Sequence, residues 1–128
     1  MRFGYTIVYV PDVEAALTFY ERAFGIERAF VSDEGLYGAL ATGETTLAFV
    51  GHEQAHTLGT GYRPIIPGEA PPGFEIALST DDVDAAFERA VGVGAASVTP
   101  PADKPWGERI AYVRDLNGLL VELTQPLH

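Results

Sequence analysis

Apolar positions change their spacing along the chain, and these changes predict where helices and strands lie. In two segments, near residues 12–25 and 81–92, apolar residues recur at intervals of three and four, which is typical of one face of an α-helix. A short stretch rich in β-branched and aromatic residues precedes each segment, at Tyr5–Val10 and at Phe74–Leu78. Such stretches predict strands. The pattern therefore predicts a strand followed by a helix, twice.

The two strand–helix segments are related to each other by a shift of 70 positions. Under this shift Asp12 meets Asp82, Val13 meets Val83, and an Ala-Ala pair follows at the same place in both. Each aspartate stands just before the helical spacing begins, where a short polar side chain can cap a helix. The self-similarity predicts a duplicated unit.

Three further β-like stretches follow each predicted helix. Asn117-Gly118 predicts a hairpin turn between the last two of them. Both halves therefore read β-α-β-β-β, which makes an α+β chain of two tandem modules, at about residues 3–51 and 73–126. A connection rich in proline and glycine joins them at about residues 52–72. The stretches are RAFVSDE, LYGALAT and TTLAFVG in the first half and ASVTP, RIAYVRD and LLVELTQ in the second.

The connection begins with His52-Glu-Gln-Ala-His56, a pattern that metalloproteases use to hold zinc. In those enzymes the two histidines lie in a long, packed helix, because both side chains must reach one rigidly held ion. Here the pattern directly follows a predicted strand, and Gly59, Gly61 and Pro64 interrupt any helix soon after it. Two modules also leave no room for a protease scaffold. We interpret the motif as a short helical turn that carries surface histidines.

Composition and charge narrow the classes of function. The chain has no cysteine, which excludes disulfides, thiolate metal sites and cysteine nucleophiles. Its net charge of −10 makes it a poor partner for nucleic acid and leaves room for a cationic ligand. No apolar run approaches the roughly 18 residues that a membrane span needs, and the first residues do not read as a signal peptide. We expect a cytoplasmic protein with no membrane partner.

Two βαβββ modules, with VPDVEAALTFYERAFG at the front and KPWGERIAYVRDLNGLLVEL at the back, resemble the vicinal oxygen chelate superfamily. That superfamily includes glyoxalase I, the fosfomycin- and bleomycin-resistance proteins and the extradiol dioxygenases. The resemblance covers nearly the whole chain and implies sheets that form half-open barrels around a ligand or metal. It also implies a homodimer, which we expect because half-open modules leave strand edges for a partner to cover.

The resemblance further implies where a metal would bind. Each module offers one position near the start of its first strand, commonly histidine, and one on its last strand, where glutamate is found. The first-strand positions here are Tyr5 and Glu75, and the last-strand position of the second module is Glu122. The corresponding place in the first module is Ala48, or Leu47 if the strands are offset by one residue. We therefore expect no cofactor and no tightly bound transition metal; a divalent metal, if one binds, would be held by Glu75, Glu122 and Tyr5.

Two classes of function remain open. We favour a protein that binds a small organic molecule in the barrel cavity without the usual transition metal. The alternative is a lyase, isomerase or dioxygenase-like enzyme that uses Glu75 and Glu122 directly or through a divalent metal, because two carboxylates in one cleft raise one pKa. Trp106 could form a wall of the cavity, although anchoring its loop against the core is slightly favoured. The candidate ligand-binding residues are Tyr5, Glu75, Glu122, Trp106 and Tyr62.

Overall fold

The computed structural model describes residues 1–127 and divides into two compact units, Met1–Pro64 (unit 1) and Ile65 onward (unit 2). Both units run β-α-β-β-β, which confirms the predicted α+β fold of tandem modules. Unit 1 contains β1 (Tyr5–Val10), α1 (Val13–Phe24), β2 (Arg28–Val31), β3 (Tyr37–Leu40), β4 (Thr46–Gly51) and a short helix, α2 (His52–His56). Unit 2 contains β5 (Ile76–Ser79), α3 (Val83–Val93), β6 (Ala96–Lys104), β7 (Glu108–Arg114) and β8 (Leu120–Pro126).

Each unit forms one open, mixed sheet of four strands. The strand orders are β1-β4-β3-β2 and β5-β8-β7-β6. In both sheets the first strand of the unit is parallel to the last, and the other neighbours are antiparallel. No pairing among residues 1–127 closes either sheet into a barrel. Within the same residues, no helix has the length and apolar character needed to cross a membrane.

The two long helices begin at the capping residues that the sequence predicts. The Asp12 carboxylate accepts a hydrogen bond from the Ala15 backbone N–H at 3.0 Å, and the Asp82 carboxylate accepts one from Ala85 at 3.1 Å. Such caps satisfy backbone donors that the first helical turn leaves unpaired. α1 ends at Gly25, which has a left-handed backbone that a residue with a side chain rarely adopts. The caps explain why both helices start at the same place in the repeat.

α1 covers one face of the unit 1 sheet and α3 covers one face of the unit 2 sheet. In unit 1, a Cβ atom added at Gly38 would lie 2.7 Å from Leu17 Cδ1, so glycine allows the helix to approach. In unit 2, Arg109 of β7 forms an ion pair with Asp84 of α3 at 2.8 Å. We call the opposite face of each sheet, directed away from α1 or α3, its distal face. Large fully buried side chains of the two cores include Tyr20, Phe49, Leu17 and Leu40 in unit 1, and Leu119, Leu123, Val83, Val113 and Val121 in unit 2.

In unit 2 the largest differences from the predicted strand limits are those of β5 and β6. β5 begins at Ile76 and not at Phe74, because the Phe74 backbone N–H donates to the Pro72 carbonyl and pairing with β8 starts at Ile76. Glu75 therefore lies one residue before the strand on which it was predicted. β6 runs through Pro100 and Pro101, beyond its predicted end. Because β6 is an edge strand, a missing backbone N–H there breaks no ladder on its outer side.

The hairpin between β7 and β8 is confirmed, and it has a polar support that the sequence analysis did not identify. Gly118 adopts a positive φ of 93°. The Asp115 carboxylate, only 5% exposed, accepts hydrogen bonds from the backbone N–H groups of Asn117 and Leu119 at 2.8 and 2.9 Å. This turn fixes the register of β7 against β8, and that register sets which side chains meet on the distal face of unit 2.

Candidate functional site

Glu122 and Tyr112 meet on the distal face of unit 2. Glu122 lies on β8, opposite Tyr112 of β7 on one side and opposite Ala77 of β5 on the other. Residues paired in this way project to the same face of a sheet. The Tyr112 hydroxyl donates a hydrogen bond to Glu122 Oε1 at 2.9 Å. The sequence is equally compatible with Tyr112 in a pocket and with Tyr112 packing on its strand, although a hairpin turn at Asn117-Gly118 indicates that residues 112 and 122 lie opposite each other.

Glu75 lies against the same pair. Desolvation raises the pKa of its carboxyl, the negative charge of Glu122 raises it further, and the nearby Tyr112 hydroxyl lowers it. Desolvation, followed by the hydrogen bond to Glu122, raises the pKa of Tyr112 to about 12. The phenol is therefore a neutral hydrogen-bond donor at physiological pH. We call Glu75, Tyr112 and Glu122 the acidic site.

A second hydrogen-bonded group lies further along the same face. Glu108 accepts a hydrogen bond from the buried Thr124 hydroxyl at 2.7 Å and one from Trp106 Nε1 at 2.8 Å, so both of its carboxylate oxygens are used. Trp106 is 65% exposed. The prediction that Trp106 anchors its loop against the core is wrong, because Glu108 holds the indole at the surface.

The position in unit 1 that corresponds to Glu122 is apolar. Ile7 of β1 pairs with Ala48 of β4, just as Ala77 of β5 pairs with Glu122 of β8. Since Ile7 and Ala77 are related by the shift of 70 positions, Ala48 and not Leu47 is the counterpart of Glu122. Ala48 is completely buried. Its neighbour on β3, the counterpart of Tyr112, is Ala39.

Four aromatic rings cluster in unit 1. Tyr62 stands at their centre: its hydroxyl is 2.6 Å from His52 Nδ1, and its ring lies 4.5 Å from that of Tyr9 and 5.7 Å from that of His56. Burial and then the charge of His56 lower the pKa of His52, while burial and then Tyr9 raise the pKa of Tyr62. We call Tyr9, His52, His56 and Tyr62 the ring cluster.

The helix that carries the two histidines is short, as predicted. α2 has five residues, His52–His56. His56 is exposed, as predicted, but His52 is partly buried because Tyr62 packs against it. Tyr62 therefore lies in the ring cluster of unit 1, while Glu75 and Glu122 lie in unit 2.

The residues at the implied metal positions do not fit the histidine–glutamate set of metal-using relatives. Ala48 has no ligand atom, and Tyr5 is 62% exposed at the start of β1. One oxygen of Glu122 already accepts a hydrogen bond from the Tyr112 hydroxyl. Across residues 1–127, no three or more His, Asp or Glu side chains are grouped so that they could hold a metal ion. That Tyr5 lines a common cavity with Glu75 and Glu122 stays a prediction.

Comparison with known proteins identifies the family. Residues 2–123 match the model of the Glyoxalase/Bleomycin resistance protein/Dioxygenase superfamily. The chain belongs to this superfamily. The superfamily resemblance predicted from the sequence is therefore confirmed.

Several superfamily relatives are similar to this chain over most of its length. An uncharacterized protein of Mycobacterium tuberculosis is 33% identical over 122 residues, which cover 92% of this chain and 71% of the relative. YraH of Bacillus subtilis, also uncharacterized, is 25% identical over 119 residues, covering 92% of this chain and 93% of YraH.

Solved structures of other proteins share the fold. A glyoxalase-related enzyme from Fulvimarina pelagi superposes with a TM-score of 0.81 at 20% identity, covering 98% of this chain and 88% of the enzyme. At that identity the likeness concerns the fold alone. TioX from Micromonospora superposes with a TM-score of 0.73 at 26% identity, covering 99% of this chain and 100% of TioX.

Proposed function

We propose that this superfamily member binds a small organic molecule at the acidic site, without the transition metal that metal-using relatives hold there. The observation that supports the proposal is the hydrogen bond from Tyr112 to Glu122. It gives the last-strand glutamate a phenol as its partner and leaves Oε2 of Glu122 without a partner in the described chain. A ligand that carries a hydroxyl, amine or amide N–H would donate to this oxygen.

The surroundings support binding more than chemistry. The described acidic site contains two carboxyls and a phenol but no serine, cysteine or lysine nucleophile, and the phenol already donates to Glu122. Ile110, which lies two residues from Tyr112 on the same face, is buried and apolar. Binding sites for small molecules commonly combine an apolar lining with a few polar groups that orient the ligand.

A fragment screen by NMR tests the proposal. In ¹H–¹⁵N spectra of the full chain, bound fragments should shift the backbone signals of Tyr112 and Glu122 together. Glu122→Gln should weaken these fragments by at least about tenfold, because a hydrogen bond to a charged group contributes about 1.5–3 kcal/mol. Glu108→Gln is the matched control, since Glu108 lies on the same face with both oxygens already used. The proposal fails if no fragment shifts the acidic site, or if Glu108→Gln has the larger effect.

The alternative function is acid–base catalysis by Glu75. The observation that favours it is the raised pKa of this carboxyl beside Glu122, since a general base works best with a pKa near the operating pH. Exchange of deuterium from D₂O into the carbon acid hydroxyacetone, followed by NMR, tests this idea. Catalysed exchange that Glu75→Gln abolishes would favour the enzyme, whereas exchange at the uncatalysed rate would reject this form of it.

We also propose that the protein acts as a homodimer in the cytoplasm. The edge strands β1 and β5 each pair with a neighbour on one side only in the described sheets, and an unpaired edge favours association. The lack of cysteine agrees with a reducing compartment. Light scattering that gives the mass of one chain at micromolar concentration would reject the dimer. Cell fractionation tests the compartment.

A further inference from the structure

The ring cluster of unit 1 contains two imidazoles that the proposed function does not use. His52 and His56 lie four positions apart on α2, a spacing that brings side chains to one side of a helix. Their rings are nearly parallel, with an interplanar angle of 21° and centroids 6.3 Å apart. The chain contains three histidines in all, and this pair provides two of them.

Tyr62 fixes one of the two rings. The hydrogen bond of 2.6 Å between its hydroxyl and Nδ1 occupies that nitrogen of His52 and leaves Nε2 as the available nitrogen. Histidines that bind metals usually hold their second ring nitrogen in a hydrogen bond of this kind, which orients the ring and selects the tautomer. In the form suited to a metal, Nδ1–H donates to the Tyr62 oxygen and Nε2 keeps its lone pair.

His56 is the adjustable partner. It is exposed and makes no hydrogen bond in the described chain, so its ring can turn toward the Nε2 side of His52. Two nitrogen ligands of one ion lie at most about 4 Å apart, since each metal–nitrogen bond is about 2.0–2.1 Å long. Ring nitrogens can lie closer together than ring centroids, and rotation of the exposed His56 side chain is the movement that the proposal requires to reach this range.

We propose that His52 and His56 bind one divalent transition-metal ion, with water completing its coordination and Tyr62 orienting His52. This site differs from a protease zinc centre, which has a third protein ligand and holds its two histidines in a long, packed helix. It lies in unit 1 and does not depend on the acidic site of unit 2. Affinity should follow the order Cu²⁺ above Ni²⁺ and Zn²⁺, because imidazole is a ligand for these ions and not for Mg²⁺ or Ca²⁺.

The surroundings of the pair agree with this assignment. Tyr62 packs against both imidazoles, and Tyr9 packs against Tyr62. The net charge of −10 also attracts a cation.

Isothermal titration of the full chain with CuCl₂, ZnCl₂ and MgCl₂ tests the proposal. One Cu²⁺ per chain should bind with saturation, Zn²⁺ should bind more weakly, and Mg²⁺ should not bind. His56→Ala should abolish Cu²⁺ binding, and it should fold because His56 is exposed. The electron paramagnetic resonance spectrum of the Cu²⁺ complex should show splitting from two imidazole nitrogens.

Three variants separate this site from its alternatives. Glu53→Gln, on the same helix, and His128→Ala, the remaining histidine, should leave Cu²⁺ affinity unchanged. Tyr62→Phe should weaken it by about 10–100-fold, the usual cost of losing the hydrogen bond behind a ligand. The proposal is overturned if His56→Ala binds Cu²⁺ as the parent does, if His128→Ala abolishes binding, or if the spectrum shows one nitrogen only. Loss of fragment binding at the acidic site would concern the proposed function and not this ion.

Discussion

In unit 1 the distal face carries a buried alanine at position 48, beside Ala39 and Ile7, and in unit 2 the equivalent place carries Glu122, beside Tyr112 and Ala77. The backbone is the same at both places, since each residue lies on the last strand of its unit, between a parallel and an antiparallel neighbour. Only the side chains differ. In unit 1 the methyl groups of Ala39 and Ala48 lie side by side, whereas in unit 2 the phenol of Tyr112 lies beside the carboxylate of Glu122.

The residues next to these on the last strands, which face the helices, show no such divergence. Phe49 of unit 1 pairs with Val8, and Leu123 of unit 2 pairs with Leu78, all of them apolar. These residues project toward α1 or α3, where close packing limits both volume and polarity. At these positions the duplicated units keep apolar residues on the helix side and differ in the chemistry of the distal face. Function is therefore expected to reside on the distal faces.

The largest effects should come from truncating Phe49 and Leu123, which project toward α1 and α3. Phe49→Ala should lower the free energy of unfolding by about 3–5 kcal/mol and Leu123→Ala by about 2–5 kcal/mol, because each leaves a cavity under a helix. Both side chains are fully buried or nearly so. Chemical denaturation measures the change.

Ile7→Ala is the matched control, at an exposed position of the unit 1 sheet. It should lower the free energy of unfolding less than either truncation does, because Ile7 is exposed at the edge of its sheet. If one of the two truncations cost under 1 kcal/mol, the two helix-side faces would not be equivalent.

A smaller but more specific effect should follow from giving unit 1 the glutamate of unit 2. Ala48→Glu places a carboxylate at a fully buried position with no phenol beside it, because the neighbour on β3 is Ala39. An unpaired buried charge should lower the free energy of unfolding by at least about 2 kcal/mol. Burial should also raise its pKa, so the variant should lose stability as the pH rises through that pKa.

The double variant Ala48→Glu with Ala39→Tyr tests whether a neighbouring phenol stabilises a glutamate at position 48. Part of the lost stability should return, since a tyrosine opposite the new glutamate can donate to it as Tyr112 does to Glu122. If the double variant is less stable than the sum of its parts, the pairing in unit 2 depends on features of its surroundings beyond the two side chains.

Most of the fold could be predicted from local patterns. The shift of 70 positions and the caps Asp12 and Asp82 located both helices, because capping and helical spacing act within a few residues. The Asn117-Gly118 turn located the last hairpin for the same reason. The start of β5 was missed because it depends on pairing with β8, which lies about 45 residues away in the sequence.

The candidate site was less predictable, since it depends on register between strands. The family resemblance selected Glu75 and Glu122, and the structure brings them together. It did not select Tyr112 or Glu108, because a single strand does not reveal which polar residue on it meets which partner. Trp106 was expected to anchor its loop against the core, whereas it donates a hydrogen bond to Glu108 and is exposed.

A moderate effect should come from removing the Tyr112 hydroxyl of unit 2, which has no counterpart at the equivalent position of unit 1. Tyr112→Phe leaves the ring in place and removes only the hydroxyl, so Glu122 loses its donor. The free energy of unfolding should fall by about 1 kcal/mol, the typical net value of one hydrogen bond. Denaturation at neutral pH measures it.

Tyr37→Phe, on the distal face of unit 1, is the control variant, since its hydroxyl has no hydrogen-bond partner in the described chain. It should change stability by less than about 0.5 kcal/mol. Equal losses in the two variants would show that the phenol of unit 2 is no more important than that of unit 1.

The smallest effect concerns the pH dependence that Glu75 adds to unit 2. Because its pKa is raised in the folded state, the folded chain binds a proton more tightly than the unfolded chain does. Its contribution to stability is therefore greatest at low pH and is lost as the pH rises from the ordinary glutamate value of 4.5 through the raised folded value. Glu75→Gln should remove this decline and leave a flatter stability profile in that window. Glu69→Gln, at an exposed glutamate of the same unit, should leave the profile as it is. If Glu75→Gln made the decline steeper, desolvation and the negative charge of Glu122 would not be the causes of a raised pKa at Glu75.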